Sequence, residues 1–490
     1  MSSPDSLPPV ISGPPELPVL PAPRRKRRVL PVVLTLLSLP FVLYGGFILF
    51  YVAGNASAEA KIRARGEPVT SREVAAAQPK VPDDQNAAIP LMALWRIEDP
   101  KHWEAFEFGK SMDQAGPGDD VPADLPLLGK AGVKLPASFP LPKAMLDQIA
   151  AHVARREGYR AAVRKALERP HCIFPIQHEA GFGSRLPHLA SIKNTHSEFR
   201  LAFVDALSRR DTAEAISHLE DMERLARLLA EDVNLISHLV RLVVCTGVVE
   251  GVERLLSAAP LGAADLARVE RLLASTNTGG HLAECLRTER AAVLDAMEMS
   301  AEKFIRLGAA DGELSESYQK MVLVLRVSRA LGLGHLDRAR LLEVHEQMAS
   351  ALEKDPAGGA SGLGSLLEPL REDNPFLHPI TSMMIKPVER AGTKSARMEA
   401  LRRCAVAVVE VERFRAANGG RLPTSLQELP APTDRSLRTD PFGDSLKYRV
   451  LDVGYVVYSL GPDRIDDGGV PKRPGREPSA PQDAAIAIRR

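Results

Sequence analysis

The sequence predicts a mainly α-helical protein: a single N-terminal transmembrane helix, a helical bundle or array, and a small C-terminal α+β module with an antiparallel hairpin. Three observations carry this prediction. A basic cluster, Arg24 to Arg28, abuts an uncharged run from Val29 to Ala53. From Pro142 onward, apolar residues recur at steps of about three to four. Beyond Ala417 the pattern changes to short alternating runs separated by Gly, Asn, Pro and Asp.

Composition agrees. Aromatic residues are only 5% of the chain, whereas Ala, Leu, Arg and Glu, which lose little rotamer freedom in a helix, are abundant. A length of 490 residues allows two or more domains. With 63 basic and 62 acidic residues, no net field draws in nucleic acid, and that class of partner is not expected. Cys172, Cys245, Cys285 and Cys404 lie far apart, match no CxxC spacing and read as isolated buried thiols.

Residues 1–28, rich in Pro and Ser and ending in the basic cluster, read as a disordered cytoplasmic segment. Residues 29–53 read as the transmembrane helix. At about 1.5 Å per residue the run spans the roughly 30 Å hydrocarbon layer with room for tilt. Five consecutive cations place its N-terminal side in the cytoplasm, and everything after residue 54 on the far side. Ala56-Ser57-Ala58 resembles a signal-peptide cleavage site, but the apolar run exceeds the roughly 7–15 residues of such a peptide, which favours an uncleaved anchor.

Residues 54–140 form an irregular membrane-proximal segment in this reading. Glu59 to Arg65 continue a helix, Pro82-Asp83-Asp84 and residues 115–120 make loops, and Trp95 and Trp103 pin the segment to the helical body. Residues 141–356 form the bundle or array. Asp211 and Glu214 have capping-box spacing, and Ile216, Leu219, Met222, Leu225 and Leu229 share one face of the helix that follows. Ile236, Val240, Val243, Val244, Val248, Val252 and Leu255 suggest a second stripe, and further helices are expected at 264–275, 281–305, 314–331 and 336–354. The Gly-rich run from Ala357 to Gly364 and the prolines from Pro375 to Pro387 make 357–394 a linker. Residues 395–470 are the terminal module, and 471–490, rich in Pro and charge, a disordered tail.

The module opens with an amphipathic helix from Ser395 to Ala417 that stops at Asn418-Gly419-Gly420, residues that reach positive φ cheaply. Leu446 to Leu451 and Tyr455 to Leu460 read as strands joined at Asp452-Val453-Gly454. In order and spacing, Asn418-Gly419-Gly420-Arg421-Leu422-Pro423-Thr424, Asp440-Pro441-Phe442-Gly443, Tyr448-Arg449, Gly454-Tyr455 and Tyr458-Ser459-Leu460-Gly461-Pro462-Asp463 resemble the end of the G-type, or major, pseudopilin of type II secretion. The apolar helix departs from that family. It has no acid, no prepilin leader motif, and lies far upstream of the module, so the chain is not expected to polymerise as a pseudopilin does. The whole resembles large bacterial membrane-anchored proteins that carry this module; Pro82-Asp83-Asp84-Gln85-Asn86-Ala87-Ala88 and Leu235-Ile236-Ser237-His238-Leu239-Val240-Arg241 are also similar to that group.

The resemblance implies a calcium ion in the loop after the last strand, held by Asp463 with Asp466 and Asp467 beside it, in a structural role. The alternative from the residues alone is that Asp and Gly gather there because they make turns. No other cofactor is expected. His171, Cys172, His178 and His188 lie in one loop-like stretch and could line a metal or enzymatic site, but scattered packing and surface histidines are the favoured reading. No GxxxxGK[ST], GxSxG or HExxH motif is present. The charges of Glu284, Arg287, Glu289 and Arg290 read as salt bridges on a bundle face. The function expected is therefore a membrane-anchored, extracytoplasmic binding or scaffold protein of the bacterial inner membrane, linked to a secretion or envelope assembly through protein partners. The alternative is an enzyme with its site in the helical body.

Overall fold

The structure, a computed structural model, describes residues 29–96, 121–136, 140–307, 316–432, 434–470 and 483–490. The basic cluster, Trp103 and the loop at 115–120 lie outside these residues. The chain divides into two units, Met1–Phe50 and Tyr51–Arg490.

The first unit contains most of the apolar part of α1 (Val29–Ala64). The apolar window of this helix has a mean hydropathy of 2.2 and none of it is buried. Leu34, Leu36, Leu37, Phe41 and Phe50 are all exposed. By length and composition α1 can serve as a single-pass membrane anchor or a signal sequence.

The second unit is helical except for one sheet. Its helices are α2 (Ser71–Ala77), α3 (Ala88–Trp95), α4 (Lys143–Arg155), α5 (Glu157–Ala166), α6 (His188–Ser208), α7 (Thr212–Arg227) and α8 (Leu235–Ala258). There follow α9 (Ala263–Ser275), α10 (His281–Met297), α11 (Ala301–Leu307), α12 (Glu316–Ala330), α13 (Gly334–Lys354), α14 (Pro356–Glu372) and α15 (Pro379–Ala417). Half of the capping box forms at α7: the Asp211 side chain accepts from the Glu214 N–H at 2.9 Å. The Glu214 carboxylate turns instead to Arg209. Trp95 pins as expected, donating from Nε1 to the Tyr159 hydroxyl at 3.1 Å and lying parallel to Phe174.

Helix α8 is also apolar enough to cross a membrane, but two thirds of its apolar window is buried, as befits a core helix. Its stripe differs from the expected one. Ile236 and Val243 are 54% and 52% exposed, while Ser237, His238 and Arg241 face inward. The core here contains polar partners, so apolarity alone misplaces the buried face. Of the charges on α10, the arginines pair across elements, Arg290 donating to Glu67 at 2.9 Å and Arg287 binding Glu353, whereas burial pushes the Glu289 carboxyl up to about 7.

The linker expected over 357–394 is instead α14 and the first part of α15. Pro356 starts α14, and the Asp355 carboxylate accepts from the Ala357 and Gly358 N–H groups at 3.2 and 3.1 Å. Gly359 of α14 and Gly392 of α15 serve close packing. A Cβ on Gly359 would meet the Ala351 carbonyl at 2.5 Å, and one on Gly392 the Ala360 carbonyl at 2.7 Å, so the α13–α14 and α14–α15 contacts need bare backbone. Asp337, buried on α13, accepts from the Ile380 and Thr381 N–H groups at 2.9 and 3.1 Å and clamps the start of α15.

Strands β1 (Lys447–Val450), β2 (Tyr455–Ser459) and β3 (Ala484–Ile488) form an antiparallel sheet in the order β1-β2-β3. The hairpin turns at Gly454, whose φ of +85° suits glycine and whose missing side chain makes room for the Ile488 carbonyl. The tail expected to be disordered thus ends in a buried strand, packed against α8 and α15. Ile486 and Ile488 supply its core, and residues 471–482 lie outside the described chain.

The carboxylate of Glu253 on α8 accepts from the Ala487 N–H at 2.8 Å and steers β3 into place. Burial, reinforced by Glu250, pushes the Glu253 carboxyl up to about 7. A folded pKa above the unfolded one means that stability falls as pH rises from about 4.5 to about 7 and is level beyond. Glu253→Gln keeps an acceptor and removes the titration. The variant is expected to gain about 1–2 kcal/mol at pH 8 and to lose part of the pH slope of urea unfolding. An unchanged slope would show that Glu253 is not buried as described.

Candidate functional site

A buried polar cluster lies where α8, α10 and α15 meet. Asn234 caps α8 by accepting from the Ile236 N–H at 2.8 Å, which sets His238 in the first turn. Gly280, at φ +85°, opens α10, so His281 is its first residue and Cys285 follows one turn later on the same face. Ser395 comes from the middle of α15.

His238, His281, Cys285 and Ser395 are all buried. The Ser395 hydroxyl donates to the Ala391 carbonyl at 2.9 Å, so its oxygen is free to accept from His238 Nε2–H at 2.8 Å. That fixes the tautomer of His238 and leaves a lone pair on Nδ1. This nitrogen faces Nδ1 of His281 at 2.9 Å. Two lone pairs cannot face each other at that distance; a proton on His281 or a cation must lie between them. Nε2 of His281 lies 3.7 Å from the Cys285 sulfur, and the thiol can also donate to the Asn234 carbonyl at 3.5 Å. The result is a chain Ser395–His238–His281–Cys285.

Burial dominates the electrostatics. It pulls His238 down to about 3, helped by His281 and Arg241, and His281 down to about 4, helped by Arg241 and opposed by Asp232. Both imidazoles are therefore neutral near pH 7. The Cys285 thiol is driven well up by burial, then by Asp232, Glu289 and Glu284, and remains protonated unless a cation compensates. Asp232 borders the cluster. Its Oδ2 accepts from the Ser237 hydroxyl at 2.6 Å and lies 3.0 Å from His188 Nε2, while Oδ1 is buried without a hydrogen-bond partner.

The stretch from His171 to His188 borders this cluster but does not converge on one point. His171 pairs with Glu231 at 2.8 Å, Cys172 N–H donates to the same carboxylate at 2.7 Å, and His188 stacks on Phe174 at 4.0 Å. Burial raises the Cys172 thiol and lowers the buried His178, which removes a ready thiolate from the stretch. Of the calcium candidates, Asp463 accepts from the Ile465 N–H at 3.3 Å, and Asp466 from the Tyr458 hydroxyl at 3.0 Å and the Gly468 N–H at 2.9 Å. Asp463, Asp466 and Asp467 do not gather at ion-sharing spacing. Among the described residues only His238, His281 and Cys285 do, with ligand atoms all within 4.8 Å of one another.

His238, His281 and Asp232 were not singled out by sequence reasoning. Two signals pointed to them: a histidine inside an otherwise apolar helix, and a His-x-x-x-Cys spacing that puts both side chains on one helical face. Compared with protein-family models, with curated proteins and with solved structures, the chain matches none.

Proposed function

We propose that the chain is a membrane-anchored binding or scaffold protein of the bacterial inner membrane, its body outside the cytoplasm, serving a secretion or envelope assembly. The observation that carries this reading is α1, whose apolar window has none of its length buried and so suits lipid. The adjoining cations Arg24 to Arg28 support a cytoplasmic N terminus. In the C-terminal module, Val453 in the β1–β2 turn and Ile465 in the loop after β2 are each 60% accessible, and these suit a protein partner.

Two measurements test the reading. Full-length protein is expected to stay in the membrane pellet after alkaline extraction, with its body digested by protease added to spheroplasts. A protected body would overturn the orientation. Crosslinking in cells is expected to enrich secretion or envelope components, and the surface variant Val453→Asp/Ile465→Asp is expected to lose them. Equal enrichment by the variant would remove these two loops as the docking surface.

A further inference from the structure

We propose that His238, His281 and Cys285 bind one d10 transition-metal ion, Zn(II) or Cu(I), at the junction of α8, α10 and α15. The donor set is one that both ions favour: two neutral imidazoles and a thiol that becomes a thiolate on binding. Three features of the surroundings suit an ion. The Ser395 oxygen accepts a hydrogen bond from Nε2–H of His238 and so aims the opposite lone pair into the cluster. The backbone carbonyl of Asp232 is within hydrogen-bonding reach of the His281 ring. The buried Oδ1 of Asp232, which has no hydrogen-bond partner, supplies negative charge beside the site.

Geometry and charge both close. Tetrahedral zinc with bonds of about 2.0 Å to nitrogen and 2.3 Å to sulfur holds its donors about 3.3–3.7 Å apart. The nitrogens are now 2.9 Å apart, and sulfur and nitrogen 3.7 Å apart. His281 presents a different nitrogen to each neighbour, so binding turns its ring until one nitrogen meets both. The thiol proton leaves to solvent as the metal–sulfur bond forms. The site gains one net positive charge with Zn(II), which Asp232 offsets, and none with Cu(I). The ion would tie the first turns of α8 and α10 together, with α15 behind them.

The test uses full-length protein in detergent, stripped with chelator and reloaded with Co(II) as a spectroscopic probe. The expected result is one equivalent bound per chain with a thiolate-to-cobalt charge-transfer band, displaced by Zn(II) or by Cu(I); the order of displacement tells which ion is preferred. The band should vanish in Cys285→Ser and His238→Gln and persist in Cys172→Ser and His171→Gln. Binding should also raise the thermal midpoint. Failure of the wild-type chain to take up stoichiometric Co(II), Zn(II) or Cu(I) would overturn the proposal, as would a band that survives in Cys285→Ser. If Cys285→Ser does not fold, the wild-type stoichiometry and spectrum still decide.

Discussion

A chain ending at Val470 is expected to lose more than about 5 kcal/mol of stability, enough to unfold the sheet at ordinary temperature. Truncation removes β3, whose Ile486 and Ile488 are fully buried. Each such side chain contributes about 1.5–3 kcal/mol by burial alone. The loss extends further. Strand β2, buried along its length, becomes an edge with a row of unpaired backbone groups, and Glu253 and Glu412 lose their partners Ala487 and Arg490. Urea unfolding and trypsin cleavage at Lys447 or Arg449 measure this. An unchanged midpoint with both sites still protected would mean that β3 is dispensable.

The second large effect is expected at Asp440. Its buried carboxylate accepts from three donors: the Phe442 N–H at 2.9 Å, the Ser459 hydroxyl at 2.7 Å and the Leu460 N–H at 2.9 Å. Asp440 therefore fastens the loop before β1 to the end of β2. Alanine leaves all three donors unsatisfied in the interior, for an expected loss of about 3–5 kcal/mol. Asparagine keeps one acceptor oxygen and is expected to cost about half as much. The order Asp, Asn, Ala in urea midpoint checks the account. Equal losses for the two variants would point to charge rather than to the number of accepted hydrogen bonds.

What the sequence discloses depends on how local the cause is. The apolar run of α1, the stripe of α7 and the hairpin at Asp452-Val453-Gly454 are set by neighbours a few residues apart, and the structure agrees with each. The run from Ala357 to Gly364 was misleading because glycine has two meanings. Flexibility and close approach share one residue, and only the Ala351 carbonyl of α13, against Gly359, selects the second. Strand β3 was hidden for a similar reason. Five residues of Ala and Ile after a Pro-rich, charged stretch carry little signal until β2 is beside them. The polar cluster is the extreme case. His238 and His281 are 43 residues apart, and Ser395 is 157 from His238, so no local pattern could join them. Within the run from Leu235 to Arg241, the reason for His238 is tertiary.

The length of α15 has a mechanical consequence. Thirty-nine residues at about 1.5 Å each make a beam of about 58 Å, held by the Asp337 clamp at one end and bearing the sheet at the other. Its internal proline, Pro387, lies upstream of the part that bears the sheet, and no proline interrupts the helix from there to Ala417. A load applied at the hairpin tip travels along the helix into the α13–α14–α15 packing instead of being absorbed by a swivel. The same continuity limits inheritance by recombination. A crossover anywhere between Pro379 and Ala417 would have to match helical phase on both sides, so the sheet passes to a new protein only with a correctly phased helix beneath it.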